Sequence, residues 1–240
     1  MKVYILLISF LISFNYTFAV EDTMFLKAGT NISVTRLGVF EKDPDDDDDD
    51  DDDEREIQGK NYFGGFGFNT HFGYRWKRFE LTASSSITFG KVKNLAFKIN
   101  ENSFEGSGNY QNLMVSPNVR YFIPWAPLNT WRISTGLGPI WSQQTIRLKE
   151  FTSSGDYAGK KFKLTYDSIG FGVGIGLEEN LPSKSMHPVY FSISYIRLYS
   201  VKSYLVDTSD STNTNILSSS SAKNDVASES IAINMGIILF

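Results

Sequence analysis

From Tyr62 to Trp76 the chain sets bulky side chains on every second residue. One face carries Tyr62, Phe66, Phe68, Thr70, Phe72, Tyr74 and Trp76; the other carries Phe63, Gly65, Gly67, Asn69, His71, Gly73 and Arg75. A helix would scatter these rings around its axis, whereas a period of two keeps them together on one side of an extended strand. The same alternation recurs in residues 24–36, 79–90, 112–123, 131–141, 169–178, 189–199 and 231–239. In residues 169–178, for example, Ile169, Phe171, Val173, Ile175 and Leu177 oppose Gly170, Gly172, Gly174, Gly176 and Glu178. These runs predict eight strands of roughly ten residues, the length a tilted strand needs to cross a bilayer.

The connections alternate as well. Links 38–60, 92–109, 143–163 and 203–228 are long, whereas 77–78, 124–129 and 179–187 are short. Long and short in strict succession is the pattern of an all-β, antiparallel up-and-down barrel with long loops at one end and tight turns at the other.

Three features of the sequence turn the apolar face outward. An eight-stranded barrel has an interior only just wide enough for side chains. Phe, Tyr, Trp, Ile and Leu from eight strands would overfill it, while Gly, Ser, Thr and Asn fit. The polar face also has long uncharged stretches, such as Gly170 to Gly176 and Thr82 to Thr88, unlike a surface facing water. Finally, Tyr74, Trp76, Trp125 and Trp131 fall at the short-turn end, and Trp141, Tyr195 and Tyr199 towards the long-loop end. Aromatic rings at both rims are interfacial girdles. The expected fold is therefore an eight-stranded transmembrane β-barrel.

The start of the chain reads as an address. Met1-Lys2 precedes an uncharged apolar run from Val3 to Phe14, and Thr17-Phe18-Ala19 supplies small residues where a signal peptidase reads. Residues 1–19 are expected to be a secretory signal peptide and residues 20–240 the barrel. With an export signal, eight strands, alternating loops and the ending Ile237-Ile238-Leu239-Phe240, the chain resembles the small eight-stranded outer-membrane proteins of Gram-negative bacteria, of the OmpA and OmpX type. The resemblance implies an outer-membrane location with both termini periplasmic, and a C-terminal aromatic offered to the barrel-assembly machinery. Ending at the last strand, the chain is expected to carry no added periplasmic domain.

Lys27, Arg75, Glu80, Arg120, Arg132 and Glu178 all have lumenal parity and lie near the short-turn ends of their strands. Charges converging in a narrow bore must pair, because unpaired buried charge is costly. They are expected to form a salt-bridge plug; the alternative is a gated polar path, making the protein a narrow channel or small-solute transporter.

Residues 41–60 hold thirteen acidic groups against Lys42, Arg55 and Lys60, about −10 locally in a chain of net charge −4. Nine of them are consecutive: Asp45, Asp46, Asp47, Asp48, Asp49, Asp50, Asp51, Asp52 and Asp53. Like charges without an apolar partner predict a disordered extracellular loop. Carboxylate oxygens suit divalent cations, so weak, poorly selective cation binding is one expectation, and attraction of basic surface partners another. A low-complexity expansion without a role is the third.

The absence of Cys excludes disulfides, zinc-thiolate sites and thiol nucleophiles. Of two histidines, His71 has lumenal parity and His187 lies in a short turn. There is no His-Glu-x-x-His, Gly-x-Ser-x-Gly or phosphate-loop motif. A lipid-modifying enzyme is the second alternative. The expectation is a monomer that is not an enzyme, needs no cofactor, binds no nucleic acid, contacts outer-membrane lipid, and has a structural or surface-interaction role. Arg197, outward near the long-loop rim, is placed to meet lipid phosphates or to snorkel to water.

Overall fold

The computed structural model describes residues 22–37, 62–99, 102–124, 130–153, 160–179, 187–209, 215–219 and 226–239. The expected signal peptide, the acidic loop with Asp45 to Asp53, Trp125 and Phe240 lie outside these described residues.

The described residues form nine strands: β1 (Thr23–Leu37), β2 (Tyr62–Trp76), β3 (Phe79–Ile99), β4 (Asn102–Ile123), β5 (Trp131–Ser153), β6 (Phe162–Glu179), β7 (Val189–Asp207), β8 (Asn215–Ser219) and β9 (Val226–Ile238). Each of β1 to β7 pairs antiparallel with the next, and β9 joins β7 to β1. Eight strands therefore close into an up-and-down barrel. The ninth, β8, pairs with β7 at Ser203 to Val206, above the point where β9 leaves it.

Side-chain exposure follows the alternation. Phe66, Phe68, Phe72, Tyr74 and Trp76 of β2 are exposed, whereas Asn69, His71 and Arg75 between them are buried. The exposed apolar set forms a belt running from Met24 to Val34 on β1, Phe66 to Trp76 on β2, Phe79 to Phe89 on β3, Leu113 to Ile123 on β4 and Leu137 to Trp141 on β5, with Trp131 half-buried below it. It continues from Ile169 to Ile175 on β6, Phe191 to Tyr195 on β7 and Ile231 to Leu239 on β9. About ten residues per strand, at the tilt usual in such barrels, make a band about 25 Å tall. Trp76, Tyr74 and Trp141 are exposed at its two rims.

The strands are longer than expected. The predicted links 92–109 and 143–163 are largely strand: β3 and β4 stay paired to Ile99↔Asn102, and β5 and β6 to Arg147↔Lys163. Above the belt the two faces exchange roles. On β5 the outward residues become Gln143, Thr145 and Arg147, and the buried ones become Ile146 and Leu148. On β6, Lys163, Thr165 and Asp167 turn outward while Phe162, Leu164 and Tyr166 are buried. Val92, Leu95 and Tyr110 continue the buried set on β3 and β4, and the Tyr110 ring packs edge-on against Phe63, centroids 4.4 Å apart. Within the belt the barrel is polar inside and apolar outside; beyond it the order is that of a protein in water.

The bore is also less uniformly small than residue volume suggests. Phe25, Phe122 and Tyr190 are buried at the short-turn end, and Ile140, Ile196, Leu198 and Ala232 form an apolar cluster nearer the other. The Tyr190 ring fits because Gly29 and Gly236 face each other beneath it. A Cβ on Gly29 would lie 2.6 Å from the Tyr190 hydroxyl, and one on Gly236 would lie 2.8 Å from Cε1 of the ring.

Candidate functional site

The short-turn end of the bore is occupied by ions, and the strand register brings them there. Lys77-Arg78 is the whole turn between β2 and β3, with Lys77 at a φ of 54°. One pair inside it Arg75 faces Glu80, Glu80 faces Arg120 on β4, and Arg132 on β5 faces Glu178 on β6. Lys27 reaches in from β1.

Both carboxylates are shared. Lys27 Nζ lies 3.0 Å from Glu80 Oε2 and 2.8 Å from Glu178 Oε2. Arg75 Nη2 lies 2.7 Å from Glu80 Oε2 and 2.5 Å from Glu178 Oε1. Arg132 Nη2 adds a contact of 3.1 Å to Glu178 Oε1, and the Thr82 hydroxyl donates to Glu80 Oε1 at 3.2 Å. Arg120 is held loosely, its Nε 3.9 Å from Glu80 Oε1. Lys27, Arg75, Glu80 and Glu178 are essentially without solvent exposure. The Lys27–Glu178 and Arg75–Glu178 contacts run across the bore and tie β1 and β2 to β6.

Aromatic faces cover the cations. The Phe25 ring lies 4.7 Å from Lys27 Nζ, and the Phe122 ring 4.7 Å from Arg75 Cζ and 4.9 Å from Arg132 Cζ. Such contacts gain strength when desolvated. Sequence reasoning named the six ions and missed these rings. Their signal was available, since Phe25 shares parity with Lys27, and Phe122 with Arg120.

Further along, small polar side chains bond one another across the bore. The Tyr190 hydroxyl donates to Asn69 Oδ1, Asn69 Nδ2 donates to Asn234 Oδ1 at 3.1 Å, and Asn234 Nδ2 donates to Ser192 Oγ at 3.2 Å. His71 sits among them, its Nδ1 2.7 Å from Ser84 Oγ. Among the described residues no carboxylate is hydrogen-bonded to His71 or to Ser84. His187 is exposed outside the bore. Among the described residues no group of acidic or histidine side chains is arranged to hold a metal ion. Arg197 faces outward and shares Glu229 Oε1 with Tyr195: the guanidinium Nε is 3.7 Å away and the hydroxyl 3.0 Å.

A closed eight-stranded antiparallel barrel with an apolar belt outside and a polar bore is the architecture of a transmembrane β-barrel. Solved structures of similar architecture include the outer membrane protein OprG from Pseudomonas aeruginosa, with 11% identity, a TM-score of 0.45, and 90% of this chain and 93% of that one covered. A major outer membrane protein from Thermus thermophilus gives 11% identity and a TM-score of 0.49 over 88% of this chain and 99% of that one. Neisserial surface protein A gives 12% and 0.43 over 90% and 98%. No protein-family description matches the sequence, and no curated protein matches it.

Proposed function

We propose that this chain is an outer-membrane β-barrel whose bore is plugged, and that it serves the envelope as a structural element and a surface-exposed platform. The exchange of faces above the belt supports the setting. Lipid against one section and water against the next is the arrangement that makes the same strands carry apolar residues outward and then inward. The long-loop end, with its wettable exterior, is then extracellular, and the ion cluster lies at the periplasmic end.

The observation that carries the plug is the buried cluster itself. Five side chains from five strands meet within 3.1 Å contacts across the bore, with rings packed on the cations. Little room is left for a hydrated solute to pass at that level. In planar bilayers the purified protein gives no stable large conductance; reproducible porin-sized openings would refute the plug. The setting has its own test. The mature protein fractionates with the outer membrane and shifts in gel mobility on boiling. A soluble or inner-membrane species without that shift removes the proposal.

A further inference from the structure

The ion cluster does not balance. Lys27, Arg75, Arg120 and Arg132 meet only two carboxylates, Glu80 and Glu178. Among the described residues this leaves a formal surplus of two positive charges, with Lys27, Arg75 and Arg132 buried and Arg120 partly exposed, and uncompensated charge in such a place is costly. Phe25, Phe122 and Tyr190 soften that cost for Lys27, Arg75 and Arg132. Among the described residues Arg120 has neither such a ring contact nor a carboxylate nearer than 3.9 Å.

Arg120 borders a cavity of about 110 Å³ in the bore, on the long-loop side of the cluster. Gly136 lies opposite it on β5, and a Cβ there would come within 2.7 Å of Arg120 Cγ, so the glycine clears the floor for this side chain. None of the described residues lining the cavity is acidic, and their ionisable members are Arg120 and His71.

The hydrogen bonds around His71 occupy one ring nitrogen and leave the other open. Asn118 Nδ2 donates to Ser84 Oγ at 3.1 Å, and the same Oγ lies 2.7 Å from His71 Nδ1. In the tautomer where the serine donates to Nδ1, Nε2 carries the ring proton. His71 is 8% exposed, and Nε2 has no hydrogen-bond partner among the described residues. Guanidinium, imidazole and neighbouring hydroxyls thus give this wall of the cavity polar groups and positive charge, with no acidic residue among its described lining residues.

From this geometry we infer that the cavity is a binding site for a small inorganic anion of halide size, held by Arg120 with His71 Nε2 as a second donor. A neutral solute would leave the surplus charge unanswered, and a cation would add to it. A small anion offsets part of it while accepting both N–H groups. The site does not depend on whether the bore conducts or which membrane holds the barrel, so bilayer conductance and the present test can fail separately.

The test uses the full mature chain refolded from urea into detergent micelles, with bromide as the probe. Thermal midpoints are compared in sodium bromide and sodium gluconate at equal ionic strength. Crystals grown in bromide are measured for anomalous scattering. The expected result is a midpoint that climbs by several degrees as bromide saturates, with an anomalous peak within hydrogen-bonding reach of Arg120. Arg120→Gln abolishes both, and His71→Phe raises the bromide concentration needed for half the effect. No lumenal peak in the wild-type crystals overturns the inference, whether or not Arg120→Gln folds. So does an unchanged bromide dependence in a folded Arg120→Gln protein.

Discussion

A single carboxylate shows how unequal the charges of this protein are. Glu178 accepts from Lys27, Arg75 and Arg132 while almost wholly buried. Glu178→Gln leaves three cations short of a partner and is expected to cost about 3–5 kcal/mol. Urea unfolding in lipid vesicles, followed by gel mobility without boiling, measures it. Glu229 also touches an arginine, Arg197 at 3.7 Å, but both side chains are about a third exposed. Glu229→Gln is expected to cost less than about 1 kcal/mol in the same assay. Equal losses in the two variants would mean that burial is not what sets the strength of these contacts. The sequence revealed that the six ions share one face, because parity alone decides that. It did not reveal which partners meet. Lys27 and Glu178 stand 151 residues apart, and their contact depends on the register accumulated around half the barrel.

Along a strand, the environment outside decides what each face must be. Val173 lies midway along the β6 belt and is exposed, whereas Thr165, on the same outward face, lies above the belt. Val173→Lys is expected to destabilise the barrel by about 2–4 kcal/mol, the cost of a cation near mid-bilayer. Thr165→Lys should stay within about 0.5 kcal/mol, as surface substitutions do. Matching effects on vesicle unfolding would contradict the boundary between them. This boundary is also why the strand ends escaped sequence reading. Alternation continues through residues 143–148 and 162–168, but its phase is reversed: Ile146, Leu148, Phe162, Leu164 and Tyr166 take the parity held by glycine and serine lower down. A search for one unbroken phase takes that reversal for the end of a strand and the start of a loop. The belt was legible because its eight runs each keep one phase for most of their length. The shift to water outside, which reverses the rule, leaves no mark other than the change of phase itself.

At the scale of the whole barrel, closure makes the fold robust and the bore demanding. Every belt strand is paired on both sides, so no edge is left for lipid to meet. The interior has to be filled by whatever eight strands point inward, and the fit at Tyr190 shows how tight this is. Its ring lies over Gly29 and Gly236, and its hydroxyl is bonded to Asn69. Gly236→Val is expected to abolish the folded, heat-modifiable form, because the added methyl groups collide with both the ring and the facing β1 backbone. Tyr190→Phe keeps the ring and loses the hydroxyl bond, at a cost of about 1 kcal/mol. A Gly236→Val protein that folds normally would show that the ring has somewhere else to go.

The reversal of faces halfway up the wall has a thermal consequence. Side chains such as Val92, Leu95, Ile146, Leu148 and Phe162 are sheltered from water by the ordinary aqueous driving force, which fades as a solution is chilled. The belt side chains trade one oily neighbour for another and gain little from that force. Near freezing the upper storey of the tube should therefore slacken first, exchanging its amide hydrogens faster, while the storey below stays shut.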